Sequence, residues 1–179
     1  RLSAVEALGS VTVIATDKTG TLTENRMHVH AIDAPDAPRA LQAMVLANDA
    51  EFATRAGDPL EIALLDYAAS QGTDAKHLMN SRPRHSSRPF DSVYKFMRVT
   101  VEESGQRVSY LKGAPEVLIE RSSLSPAEKR DWEGKALDHA REGFRVLALA
   151  WREDESDDEV TFLGLVMLWD PPRPEVPEA

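Results

Sequence analysis

Cysteine is absent from the 179 residues. Disulfide staples and Cys-ligated zinc are therefore excluded, and a reducing compartment is permitted. Long apolar runs are missing too. The longest, VTFLGLVMLW at 160–169, is about half of the ~20 residues a membrane-spanning helix needs, so the chain taken alone is expected to be soluble. Positive charge is in short supply: 21 Lys and Arg against 30 Asp and Glu give a formal net charge of −9. That argues against a nucleic-acid partner, whose phosphates need a basic face, but leaves room for one small anion beside a few local cations. No GxxxxGK[ST] loop occurs, so a P-loop has no support. What is present is a 42% hydrophobic fraction, enough for a real core.

The pattern along the chain mixes helices with antiparallel strands. VTVIAT (11–16) reads as a short buried strand. Helical spacing covers 38–50, and 57–70 is a helix with Asp58 as N-cap, Pro59 at its first position and Glu61 completing a capping-box-like pattern. Residues 80–92 have no periodic face and read as loop. YKFMRVTVEE and QRVSYLKG alternate around Ser104-Gly105 and read as a hairpin. If those two residues form the turn, paired positions sum to 209: Val101 faces Val108, Val99 faces Tyr110, and Met97 faces Lys112. Lys95 is then expected on the same face, one pleat further on.

A short helix over 114–122 and a capped one over 125–143 follow, with Ser125 and Glu128 forming a capping box. FRVLALAWR and VTFLGLVMLW are two more strands, and EDESDDE between them reads as a solvated connection. The fold class is α+β, a three-layer arrangement of a mainly antiparallel sheet flanked by helices. His28 and His30 share a strand face but have no carboxylate cluster nearby, so no metal site is expected there.

The chemistry centres on ATDKTGTLTEN, residues 15–25. A strand ending in Asp-Lys-Thr-Gly is by itself an ordinary turn. A carboxylate just beyond the carboxyl end of a strand can also coordinate Mg²⁺ or attack phosphorus. In that reading Lys18 offsets phosphoryl charge, Thr19 and Thr21 supply hydroxyls, and Gly20 lets the backbone come close.

DKTGTLT in unbroken order resembles the phosphorylation motif of P-type ATPases, ion pumps that pass through an aspartyl-phosphate. GDPLE (57–61), RPFDSVYKFM (88–97), KGAPE (112–116), GFRVLALA (143–150) and DPPR (170–173) resemble further segments of that family, in its chain order. KGAPE and DPPR point toward its calcium, sodium–potassium and magnesium-like branches. The resemblance implies that Asp17 is the phosphorylated residue, with Lys18 and Thr19 as catalytic neighbours and Asp17 and Thr19 as Mg²⁺ ligands. It implies a nucleotide pocket in which Phe90 stacks on the adenine and Lys95 and Lys112 line the walls. Met97 belongs to the same segment, Glu61 lies near the base, Gly113 allows a close backbone approach, and Arg145 reaches the phosphates. The hairpin face, apolar at Val99 and Tyr110 and edged by lysines, is expected to form the pocket's floor.

Each residue also has a purely structural reading: Phe90 as core, Asp58 and Glu61 as caps, the lysines as snorkelling edge residues. Arg145 on an apolar strand is expected to be buried and to need an anionic partner. Leu60 stands where the family usually has Thr, and Asp91 and Ser92 lie where calcium-pump relatives tend to have an Arg. The implied organisation is a piece of the phosphorylation domain (1–25), a nucleotide-binding domain (26–169) and a return linker (170–179). T-G-D, G-D-G-x-N-D and T-G-E-S segments do not occur in the sequence. The chain is thus expected to be the cytoplasmic ATP- and ADP-binding piece of a membrane-embedded cation pump. It would bind nucleotide without turning it over, and depend on phosphorylation, actuator and transmembrane domains. The alternatives are a haloacid-dehalogenase-type phosphatase, disfavoured because Thr19 replaces that superfamily's second Asp, and a stand-alone nucleotide-binding module.

Overall fold

The computed structural model describes residues 23–24, 26–51, 54–171 and 173. The expected strand over 11–16 and the loop bearing Asp17, Lys18 and Thr19 lie outside the described residues. The chain divides into two units, one of Met27–Trp169 and one of Arg1–Arg26 with Asp170–Ala179.

In the larger unit the elements run β1 (His28–Asp33), α1 (Ala37–Leu46), α2 (Pro59–Ser70), α3 (Ala75–Ser81), β2 (Arg84–Arg88), β3 (Phe96–Glu103) and β4 (Gln106–Gly113). Then follow α4 (Pro115–Glu120), α5 (Pro126–Arg141), β5 (Arg145–Arg152) and β6 (Thr161–Trp169). The strands form one antiparallel sheet in the order β1-β6-β5-β4-β3-β2. Helices cover both faces, which is the α+β three-layer arrangement the pattern implied. On one face Met97, Val99, Val101, Val108 and Tyr110 pack against Met44 of α1 and Leu60 and Leu64 of α2. On the other, Phe96, Leu111, Ala148 and Leu165 meet Leu118 and Ile119 of α4 and Trp132 of α5.

Local chemistry accounts for the boundaries. The Asp58 carboxylate accepts from the Leu60 N–H at 2.8 Å and opens α2, with Pro59 in its first turn. Ser125 and Glu128 make both halves of a capping box at α5. Ser104 and Gly105, with φ of 54° and 78°, form the two-residue turn between β3 and β4 that favours left-handed residues. The pairing is the expected one, from Glu103↔Gln106 through Val99↔Tyr110 to Met97↔Lys112. In β6, Gly164 has φ +139°, and a Cβ there would come within 2.1 Å of the Asp33 carbonyl oxygen. The β5–β6 register slips at this point, from Leu149↔Gly164 to Ala150↔Phe162. The extra residue puts Leu163 and Val166, of opposite parity, on the same face of the sheet.

Four expectations are corrected. Residues 84–88 are not loop but the edge strand β2, paired with β3. Its polar residues carry no apolar alternation, so only the β3 backbone beside it reveals the strand. Glu61 completes no capping box; its carboxylate turns instead to the Asp49 N–H and to Lys112. Lys95 does not continue the pleat. It precedes β3 with φ +57°, which breaks the alternation. The acidic run is not simply solvated, because Asp157, with a side chain 19% exposed, accepts from Arg88 at 2.6 Å and Arg98 at 2.7 Å.

In the smaller unit, the incoming and outgoing strands of chain are tied at Asp170. Its carboxylate accepts from the Thr23 hydroxyl at 2.5 Å and the Arg26 N–H at 3.1 Å, and the Glu24 N–H donates to the Pro171 carbonyl at 3.0 Å. No helix among the described residues is long and apolar enough to cross a membrane.

Candidate nucleotide site

Antiparallel pairing brings the start of β3, the end of β4 and the start of β5 to one end of the sheet. Phe96 lies opposite Gly113, and Gly113 opposite Ala148. Lys95, Lys112, Gly113 and Arg145 therefore gather there, although 50 residues separate the first from the last in sequence.

Lys112 is 5% exposed, and its ammonium donates to the Glu61 carboxylate at 2.8 Å. Burial pushes its pKa below the ordinary lysine value; Glu61 opposes that most strongly, followed by Asp49 and Asp58. Glu61 is held in turn. Its other carboxylate oxygen accepts from the Asp49 N–H at 3.1 Å, and its backbone carbonyl accepts from the Asn48 side chain at 2.9 Å. Asn48 also donates to the Met44 carbonyl and accepts from the Ala50 N–H. Arg84 clamps this turn from β2, donating to the Asp49 carboxylate at 2.8 Å and the Asn48 carbonyl at 2.7 Å. The turn after α1 thus fixes where Glu61 stands, and Glu61 fixes Lys112.

The loop between β2 and β3 carries Phe90. The Asp91 carboxylate accepts from the N–H groups of Val93 and Tyr94, and the Asp91 carbonyl accepts from the Lys95 N–H at 2.6 Å. This compact turn leaves Phe90 62% exposed, so Phe90 is not core and its ring is open to stacking. The Lys95 ammonium pairs with Glu116 of α4 at 3.1 Å.

Lys95 and Lys112 thus engage helices on opposite faces of the sheet. Their shared-face geometry, and the hairpin face as an open floor, are both overturned. Val99 and Tyr110 are fully buried under α1 and α2, because those helices need that same apolar surface for their own packing. Met97 is likewise core, 1% exposed. The close approach that Gly113 permits is to β3: a Cβ there would lie 2.4 Å from Phe96 Cβ and 2.5 Å from the Lys95 carbonyl oxygen. Arg145 is exposed rather than buried, at the first position of β5, and among the described residues it has no ion-pair partner.

Asn48, Arg84, Arg88 and Asp157 escaped the sequence reading. Asn48-Asp49 was legible as a turn signal. The basic RPRHSSR and acidic EDESDDE segments were legible as complementary charge. No group of three or more His, Asp or Glu among the described residues could hold a metal ion. The Mg²⁺ expectation therefore rests on Asp17 and Thr19, outside them.

At this sheet end of the antiparallel α+β domain stand an exposed Phe90, an exposed Arg145 and two lysines, each paired with a carboxylate. The comparisons narrow the class. The family model of the P-type ATPase cytoplasmic domain N matches residues 36–175, and the chain belongs to that family. It is 36% identical over 99% of its length to a probable cation-transporting P-type ATPase of Mycoplasma genitalium. It is 34% identical over 98% to calcium-transporting ATPase 1 of Lactococcus lactis, and 33% identical over 98% to the cation-transporting ATPase pma1 of Synechocystis. The chain spans 22%, 24% and 26% of the length of these three relatives.

Proposed function

We propose that the chain binds ATP at this end of the sheet and, within a P-type cation-transporting ATPase, presents the terminal phosphate to Asp17. Phe90 stacks on the adenine, and Lys95 and Arg145 meet the phosphates. The Glu61–Lys112 pair backs the site from inside, with Met97 in the core behind it and Gly113 letting β3 pack close. The reaction forms a bond between an Asp17 carboxylate oxygen and the γ-phosphorus and breaks the bond to the β–γ bridging oxygen. ADP leaves with that electron pair. Lys18 and Thr19 flank the nucleophile. Asp17 and Thr19 are the proposed ligands of Mg²⁺, whose charge offsets that of the phosphates. In this reading residues 1–25 and 170–179 belong to the phosphorylation domain, 26–169 form the nucleotide-binding domain at the cytoplasmic face, and actuator and transmembrane domains complete the pump.

The observation that supports the proposal is an exposed Phe90 in the loop that runs into Lys95, at the end of the sheet where the backbone register also brings Lys112 and Arg145. The test is titration of the isotopically labelled chain with ATP. Chemical-shift changes should concentrate at Phe90, Lys95, Lys112 and Arg145. A titration that moves none of them sinks the proposal.

A further inference from the structure

Arg88 is the last residue of β2, immediately before the loop that carries Phe90 and Lys95. Its guanidinium does two things at once. Nη1 donates to the Asp157 carboxylate at 2.6 Å, and the guanidinium carbon lies 3.7 Å from the centre of the Tyr94 ring. Tyr94 is half-exposed and sits one residue before Lys95. The Asp157 end is itself fixed. Its second oxygen accepts from Arg98, the cross-strand partner of Arg88, and Arg98 also donates to the Glu155 backbone carbonyl. Arg121 holds the next carboxylate, Asp158, at 2.5 Å. The acidic turn is therefore docked against the β2–β3 edge, and Arg88 transmits that fixed point to the loop through the Tyr94 ring.

We propose that Arg88 is a positioning residue for the nucleotide site: anchored by Asp157, it provides the flat surface on which Tyr94 rests and so holds Phe90 and Lys95 in place. The inference rests on the nucleotide reading of Phe90 and Lys95. It makes EDESDDE, distant in sequence, part of the support of that site.

The test compares the labelled chain with R88Q, R88K and Y94A, the last removing the partner ring from a half-exposed position. Amide exchange is measured without nucleotide, and ATP affinity by chemical-shift titration. In R88Q, exchange at the Tyr94 and Lys95 amides should speed up several-fold, while α2 and β4 stay protected. ATP affinity should fall on the order of five- to tenfold, in line with a partly desolvated cation–π contact. R88K keeps a charge for Asp157 without the planar face and should fall between the two. Y94A should reproduce the R88Q loss. In an F90A background R88Q should cost less ATP affinity than it does in the wild-type chain, because only the positioning of Lys95 is left to lose, whereas a general loss of structure would cost the same in both. Unchanged exchange at residues 94–95 in R88Q, or wild-type ATP affinity in both R88Q and Y94A, overturns the inference. A wild-type chain that gives no ATP response at Phe90 and Lys112 overturns the nucleotide reading itself, and the positioning role with it.

Discussion

Replacing Glu61 with Gln changes one oxygen to an amide nitrogen and strands a charge. Lys112 is 5% exposed and its ammonium has Glu61 as its 2.8 Å partner. Removing one member of a buried ion pair typically costs about 3–5 kcal/mol, because the remaining charge loses its compensation without regaining water. The Asp49 N–H, which donates to the Glu61 carboxylate at 3.1 Å, would keep an acceptor only if the amide turns its oxygen that way. A loss of about 3 kcal/mol corresponds to a drop of roughly 10 °C in the unfolding midpoint for a domain of this size.

The cost should depend on pH. Burial already lowers the folded-state pKa of Lys112, and E61Q would lower it further. Where the unfolded chain binds the proton and the folded chain does not, stability rises with pH. E61Q should therefore be weakest at neutral pH and below, and recover as pH climbs from the folded pKa toward the unfolded value of about 10.4. The double variant E61L/K112M removes both charges and should regain most of the loss. The assay is urea unfolding followed by Trp fluorescence between pH 6 and 10. An E61Q variant within about 0.5 kcal/mol of wild type, as surface substitutions usually are, would refute the picture of a buried, mutually dependent pair.

Three further outcomes are expected. G164A should destabilise the chain by more than about 2 kcal/mol in urea unfolding, since the added Cβ meets a backbone oxygen at a left-handed position. The Tyr110 hydroxyl is buried and donates to Glu103 at 2.9 Å, and burial raises its pKa well above the ordinary tyrosine value. The unfolded chain then loses this proton near pH 10 while the folded chain keeps it, so stability falls as pH rises above about 10. Y110F should remove that part of the alkaline loss in pH-dependent unfolding curves. F90A should weaken ATP binding about tenfold, the loss of roughly one stacking contact, while the unfolding midpoint stays near wild type because the ring is largely exposed. Equal ATP affinity in F90A would remove Phe90 from the site.

The elements that the chain announced are those whose determinants are local. Asp58-Pro59, the Ser125–Glu128 box and Ser104-Gly105 carry their own boundary chemistry within a few residues. The period-2 alternation of 96–103 and 106–113, with a two-residue turn, left only one register for β3 and β4. The candidate site was legible as a set of residue types in family order. Its geometry was legible only as far as the hairpin extended, and it failed at Lys95, where a positive φ ends the pleat.

Sequence alone therefore determined the class of fold, the β3–β4 register and which lysines, carboxylate and aromatic ring to watch. Tertiary structure decided what those groups touch. It gave the apolar hairpin face to α1 and α2, turned Glu61 from a helix cap into the partner of Lys112, left Phe90 and Arg145 in solvent, and drew an acidic run onto the arginines of β2 and β3. The physical reason is range. Turn and cap energies are settled between neighbours in the chain. Burial and charge pairing are settled between residues that meet only when the sheet has closed, as Arg88 and Asp157 do across 69 positions.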